Sequence, residues 1–365
     1  MASRARLLST KGPDAAIWRR AFEALPAERR DVFLLPEYAA VHERDSQVAR
    51  AFLAEQDGAC VLYPFILRPV RIDGRPALFR GRPARDVATP YGFGGPVASA
   101  DIPGLYSAFS LAFASWCLEE EVASEFMCLH PFTGSAALVG DDGAYSHAAG
   151  KPMVFIDLDG GDGNIWRQLN RGHRSAVNHA RKHGVVVEKV VPGAADYETF
   201  NRLYASTMDR HGAAERWYHP ADYFRRCQET LGPEHCSFFV ARVNGAVAAW
   251  FIVLHGQATA YYHFAGSDLD LSPTKASQLL MHEVSLWCRK QGFRRFFLGG
   301  GISAEADDKL LSYKLGFSKN TIPHVTAWRI HHAAAYEELV RQKTTAEAAS
   351  PGPVPAREYF PAYRR

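Results

Sequence analysis

A chain of 365 residues exceeds what one hydrophobic core usually serves, and with 47% hydrophobic and 12% aromatic residues it can fill about two domains. A net charge of +3 excludes a uniformly basic nucleic-acid binder, so any site for a polyanion must be a local patch. Six cysteines, at 60, 117, 128, 227, 236 and 288, form no CxxC pair, and no His stands at metal-ligand spacing, which excludes a zinc site and fits buried thiols of a reducing compartment. The N-terminal MASRARLLSTKGPD has two Arg but no apolar core of signal-peptide length, and no window approaches roughly eighteen apolar residues. A soluble cytoplasmic protein with no integral membrane segment is expected.

In chain order, residues 13–25 show helical periodicity, and Pro36 opens a short helix through Glu37 and Tyr38. Residues 48–54 and 59–67 read as strands joined by Glu55-Gln-Asp-Gly, the Asp-Gly pair supplying the turn. Residues 81–96 resist regular assignment; a helix at 101–120, a strand at 125–129 and a polar loop at 133–151 come next. The pattern then restarts with a strand at 153–157, a basic helix at 167–184, a strand at 185–190 and helices near 195–210 and 220–231. Strands at 237–243 and 246–254 flank the Asn244-Gly245 turn, and a third runs over 258–264. A helix runs from Ser272, with Pro273 in its first turn, to Lys290; a strand at 294–298 ends in Gly299-Gly300-Gly301, and short helices lie near 306–315 and 333–346. Antiparallel hairpins in both halves, without strict βαβ alternation, predict an α+β fold with mixed, largely antiparallel sheets. The boundaries expected are a domain at 1–150, a related one at 151–330, and a C-terminal helix and tail at 331–365.

The basic stretch RQLNRGHRSAVNHARKHG (167–184) carries five Lys or Arg, three His and no carboxylate. On a helix, Arg167, Arg171, Arg174, Asn178 and Arg181 share one side and Leu169, Ala176, Val177 and Ala180 the other. The cationic side is either a solvated charge run or a face that grips an anion. Gly299-Gly300-Gly301 fits no phosphate-binding signature and reads as a turn, and Glu283 reads as a polar residue on its helix. Lys314, set in the apolar company of Tyr313 and Leu315, either snorkels from a core edge, which spacing alone favours, or offers charge to an anionic ligand. DVATPYGFGGP (86–96), with Tyr91 and Phe93 at its centre, is a binding loop or a structured crossover. Asp86, His263 and Asp308 are candidate general bases, none singled out by spacing, and His263 reads more simply as a core histidine. Trp217 and Tyr218, in RWYHP, can stack on a base or sugar or cap a core.

Together, LYPFILRPV (62–70), DVATPYGFGGP, WRQLNRGHR running into RGHRSAVNHARKHGVVV (171–187), and LGGG with DKLLSYKLGFS after it resemble one family in one order over roughly residues 30–330. It is the Fem-type aminoacyl transferases that build peptidoglycan cross-bridges, with their tandem-GNAT relatives of polysaccharide and antibiotic pathways. The resemblance implies two GNAT-like domains, the C-terminal helix packing back on the first, and transfer of an acyl group to an amine. It further implies aminoacyl-tRNA as co-substrate, no metal or organic cofactor, basic residues that hold phosphates of a nucleotide-linked acceptor and of the tRNA end, and Lys314 near the donor. Asp86, His263 and Asp308 join Lys314 as catalytic candidates, and Tyr91, Arg171, Arg174, Arg181, Trp217, Tyr218 and Gly300 as substrate-binding ones. The chain departs from the family in lacking a helical-hairpin insertion between residues 190 and 235.

An acetyl-CoA enzyme of this class places a Gly-rich turn before the helix that cradles pyrophosphate. Here that place reads SDLDLSPTKASQLL, with no Gly, with Pro273 removing a donor and with Asp268 and Asp270 adding negative charge. The expectation is therefore amide formation on an amine-bearing acceptor from aminoacyl-tRNA. The alternatives are an acyl-CoA or carrier-thioester N-acyltransferase acting on a nucleotide-linked sugar, and a non-catalytic RNA- or polysaccharide-binding protein of the same fold.

Overall fold

The computed structural model describes residues 4–44, 46–210, 212–302, 308–349 and 359–364. The chain divides into two compact units, one made of residues 1–150 and 324–365 and the other of 151–323.

The first unit begins with β1 (Arg4–Ser9), α1 (Gly12–Glu23) and α2 (Pro36–Val41), and continues into the hairpin β2 (Val48–Gln56) and β3 (Ala59–Pro69). Asp57 and Gly58, both at positive φ, make its turn, as the Asp-Gly pair predicts. Residues 70–88, which overlap the stretch that resisted assignment, form β4 (Arg71–Ile72), β5 (Arg75–Pro76), β6 (Leu78–Phe79), β7 (Arg82–Pro83) and β8 (Arg85–Ala88). These are two miniature hairpins, β4 with β5 and β6 with β7, and then a strand that pairs with β3. Next come β9 (Val97–Ala98), α3 (Leu105–Glu119), β10 (Val122–Cys128) and α4 (Ser135–Gly140).

β11 (Ser146–Asp157) leads into the second unit, which holds α5 (Asp162–Gln168), α6 (Arg171–Lys182), β12 (Val186–Val190), α7 (Ala194–Arg210), α8 (Tyr223–His235), β13 (Cys236–Val243), β14 (Ala246–His255) and β15 (Thr259–Ser267). It closes with α9 (Ala276–Lys290), β16 (Arg295–Gly299) and α10 (Lys309–Leu315). The chain then runs through β17 (Thr321–Ile330) and α11 (Ala333–Ala349).

In the first unit the strands take the order β1-β2-β3-β8-β10-β17. One sheet face meets α3 through Phe52, Tyr63, Phe65, Phe109 and Phe113; the other is covered around Trp18, Leu34, Leu53 and Leu62. Helix α11 buries Ala335 and Leu339 with Val70, Ala77 and Phe79 of the small hairpins. In the second unit the order is β11-β16-β15-β14-β13-β12. Val177, Ala180, Leu280 and Val284 seal one face, and on the other Trp250 stacks on Phe200 with ring centroids 4.6 Å apart. The two apolar cores are what the 47% hydrophobic content foreshadows.

The basic stretch is not one helix. Asn170 interrupts it, its side chain accepting the His173 N–H at 2.7 Å as the N-cap of α6, so Arg167 lies in the last turn of the separate helix α5. Pro273 likewise lies in a one-turn 3-10 segment, and Lys275, at φ 59°, divides it from α9.

Candidate active site

The central feature of the second unit is a parallel strand pair that parts. β15 and β16 pair over Thr259↔Arg295, Ala260↔Phe296 and Tyr261↔Phe297, where the ladder ends, although β15 runs on to Ser267. On its other edge β15 carries a bulge: Ile252 faces Phe264 and Val253 faces Tyr262, with His263 as the extra residue. β16 ends in the glycine turn, Gly299 at φ 74°, a conformation that disfavours any side chain with a Cβ. Separated strand ends, a bulge and a glycine turn together leave backbone groups able to meet a ligand closely.

Lys314, on α10, fills this opening. Its ammonium donates to Gly300 O at 2.6 Å, lies 5.7 Å from the Tyr262 ring centroid, and is buried. Burial lowers its pKa to about 8, and the nearby Asp308 only partly offsets that loss. Of the two readings open in the sequence, snorkelling fails, because the charged end is inside. Asp308 accepts the Leu311 N–H at 2.8 Å as N-cap of α10, and its carboxylate lies against Gly301. Residues 303–307, part of the expected helix, lie outside the described residues.

Helix α6 is clamped to the far end of α10. Asn170 N–H donates to Gly316 O at 2.9 Å, and the His173 ring sits so close to Gly316 that a Cβ there would stand 2.2 Å from Cε1. The same ring meets Phe317 edge-on at 4.3 Å, and burial lowers its pKa. The arginines of α6 divide into two kinds. Arg171 is exposed and Arg174 half-buried, and no ion pair joins either to a carboxylate among the described residues. Arg181 instead pairs with Glu283 at 2.8 Å and lies 6.0 Å over the Trp166 ring, fastening α6 to α9.

Other sequence candidates have local structural work. Asp86 is buried in the first unit, bonded to Arg68 Nε at 2.8 Å and to Arg364 Nη2 at 2.9 Å. Burial pushes its pKa up, but the two guanidinium groups outweigh that and hold the carboxyl below its usual range. Both of its oxygens are taken up by the two guanidinium groups, so in this structure Asp86 forms an internal ion pair. Tyr91 lies in a loop of the first unit, where its carbonyl accepts from the Tyr38 hydroxyl. The same loop packs its own glycines: a Cβ on Gly94 would stand 2.9 Å from Thr89 Cγ2, and on Gly95 2.9 Å from Leu129 Cδ2. Tyr218 donates to Asp209 at 2.6 Å, and Trp217 O accepts from Tyr204 at 2.8 Å, which ties both to α7. His263 is half-buried, its ring 4.2 Å from Phe264.

The structure therefore brings Lys314, Asp308 and Gly300 together, with α6 braced against the same helix. Sequence reasoning missed Tyr262 and His173; a half-buried aromatic and a histidine facing a glycine leave no mark at fixed spacing. Among the described residues no group of three or more His, Cys, Asp or Glu can hold a metal ion, and no helix is long and apolar enough to cross a membrane.

Comparison with known proteins places this arrangement of parted parallel strands and bulge among solved folds. Residues 167–316 match the family model of the acetyltransferase (GNAT) domain. Among solved structures the chain is similar to FemX, with a TM-score of 0.70 at 13% identity over 94% of this chain and 100% of that one. It is also similar to a tandem GNAT protein from the clavulanic acid biosynthesis pathway (TM-score 0.52, 13% identity, 91% and 99% covered). L-PGS from Bacillus licheniformis gives a TM-score of 0.56 at 12% identity, with 92% and 97% covered. No curated protein matches the sequence. The second unit thus has the fold of the GNAT domain, and the fold of the whole chain is the one that FemX and the tandem GNAT protein share.

Proposed function

We propose that this chain is an aminoacyltransferase that forms an amide on an amine-bearing acceptor, with aminoacyl-tRNA as donor and no organic cofactor. The observation that carries the reading is the buried ammonium of Lys314 at the mouth of the parted strands. The likeness to FemX supports it. So does the turn before α9, where Asp270 N–H donates to Asp268 Oδ1 at 2.9 Å and Lys275 occupies the left-handed conformation, a poor cradle for the pyrophosphate of CoA.

The chemistry asks little of the protein, because the amino acid arrives as an activated ribose ester. The neutral acceptor amine attacks the ester carbonyl carbon, and the carbonyl oxygen gains negative charge. Lys314, turned from Gly300 O toward that oxygen, donates to it as the charge develops. The intermediate collapses as the C–O bond breaks, and the proton lost by the amine ends on the departing ribose oxygen. No bond to the protein forms, which accounts for the missing nucleophile-and-base pair. Arg171 and Arg174, held beside α10 through His173 and Gly316, supply guanidinium forks for a phosphate of the acceptor or of the tRNA end. Such a reaction belongs to the cytoplasm and to cell-wall, polysaccharide or antibiotic assembly.

The test offers the purified chain labelled aminoacyl-tRNA, with and without RNase, and separately labelled acetyl-CoA, each with amine-bearing nucleotide-linked acceptors. Label transferred only from intact tRNA is expected. Transfer from acetyl-CoA would establish the CoA alternative, and transfer from neither donor a binding protein.

A further inference from the structure

The small double hairpin of the first unit is a second cationic element, and the proposed reaction does not use it. Residues 68–85 contain six arginines and one carboxylate, Asp73. Arg68 and Arg85 are tied to Asp86 at 2.8 Å and to Glu120 at 2.7 Å. Arg71, Arg75, Arg80 and Arg82 are exposed, and among the described residues no ion pair joins them to a carboxylate.

These four project from a stiff support. Val70 N–H donates to Ala84 O at 2.8 Å, and Ala77 to Val70 and Ala84 to Ala77, both at 2.9 Å, which locks the hairpins together at their base. Both turns, Asp73-Gly74 and Arg80-Gly81, take positive φ at both positions, the geometry of tight hairpins. Gln342 of α11 donates to Leu78 O at 2.8 Å, and Phe79, Ala77 and Val70 are buried beneath. Arg71 is partly engaged, bonded to Gly74 O at 3.0 Å. Arg80 is more telling. It stands at φ 49°, where a non-glycine residue costs roughly 1 kcal/mol, and its guanidinium is held 5.0 Å over the Phe79 ring. The turn and the ring together hold that charge at the tip of the hairpin.

We infer that this ribbon is a docking surface for an RNA sugar-phosphate backbone, that of the tRNA which carries the donor; this rests on the aminoacyl-tRNA reading of the function. Four planar forks on a rigid ribbon suit the regularly spaced phosphates of a folded RNA, which they contact without reading its sequence. A lipid surface calls for apolar or aromatic residues at the tips, and the tips here are Asp73-Gly74 and Arg80-Gly81.

The experiment compares the full chain with its Arg75→Ala, Arg80→Ala, Arg82→Ala variant, using the anisotropy of fluorescently labelled deacylated tRNA at about 50 and 200 mM salt. The variant should bind about tenfold or more weakly, and the slope of log affinity against log salt should fall by about 2, near the value for three lost phosphate contacts. Its urea midpoint should not move. Transfer from subsaturating full-length aminoacyl-tRNA should fall by the same factor, and transfer from an aminoacylated dinucleotide should not change. Unchanged tRNA affinity and salt slope would overturn the inference, as would retention on anionic phospholipid vesicles that the variant loses while its tRNA binding persists. If the unaltered chain transfers from no aminoacyl-tRNA, the donor reading fails, and the anisotropy measurement still decides the ribbon.

Discussion

Each unit holds a parallel strand pair reached through a helix, and the two pairs end differently. In the second unit β15 and β16 part after Tyr261 and Phe297, and a lysine amine enters the gap. In the first unit β8 and β10 pair through Ala88 and Phe126, and the chain beyond then stitches the gap shut. Thr89 N–H donates to Phe126 O at 3.2 Å and Cys128 N–H to Thr89 Oγ1 at 3.1 Å. Gly94 N–H donates to Cys128 O, and His130 N–H to Gly94 O, both at 2.8 Å. Similar strand arrangements thus yield a closed scaffold in one unit and an opening in the other, and the segment just past the strand ends makes the difference. A Gly- and Pro-rich return loop satisfies the backbone groups in the first; a bulge and a glycine turn leave room in the second.

Lys314→Met should sharpen this contrast most. Transfer should fall on the order of 10³-fold in kcat, the scale of losing an oxyanion donor, while the chain becomes about 3 kcal/mol more stable at pH 7 because a buried charge is gone. The pH dependence fixes the sign. The folded chain gives up this proton near pH 8 and the unfolded chain near 10.5, so the unaltered protein gains stability as pH rises between those values. The stability gap to Lys314→Met should close over that window. With acceptor amine in its neutral form held constant, transfer by the unaltered enzyme should decline as pH rises through about 8.

Asp86→Ala is the counterpart in the closed unit. Removing it leaves Arg68 and Arg364 facing each other half-buried, and about 3 kcal/mol of stability should go, read as a lowered urea midpoint. The rate per folded molecule should stay within a factor of about two of the original; a 10²-fold loss would reinstate Asp86 as a general base.

Gly316→Ala probes the brace between α6 and α10. A Cβ 2.2 Å from His173 Cε1 forces the ring or the helix to move, at about 2 kcal/mol. Because Lys314 is two residues away, kcat should drop about tenfold with KM unchanged, and adding His173→Ala should restore part of it. If Gly316→Ala lowers stability alone, α10 is merely packed there.

How much of the fold and site was legible depends on the range of each signal. The Asp57-Gly58 and Asn244-Gly245 hairpins were readable because both turns are written in adjacent residues. β1 and β17 escaped notice: β17, TIPHVTAWRI, is mostly half-exposed, so alternation never becomes clean. The strands of the Arg ribbon, at two residues each, fall below any period. Helical phase carried straight through Asn170, whose capping role shows only in the bond to His173. The lysine itself stood in the sequence, but apolar neighbours suit a snorkelling side chain and a buried one equally, and only the depth of Nζ decides between them.

The smallest contrast lies within one helix. Arg174 and Arg181 are seven residues apart on the same stripe, and sequence periodicity treats them alike. The structure does not, since Arg181 spends its charge on Glu283 and its plane on Trp166, and Arg174 retains its own. Arg174→Ala should therefore weaken binding of a phosphate-bearing substrate about tenfold, read in KM, with the urea midpoint unchanged. Arg181→Ala should leave KM alone and cost under about 1 kcal/mol, the range of an exposed pair. Equal effects of both substitutions on KM would mean that the whole stripe meets substrate, and equal silence that α6 is a solvated face.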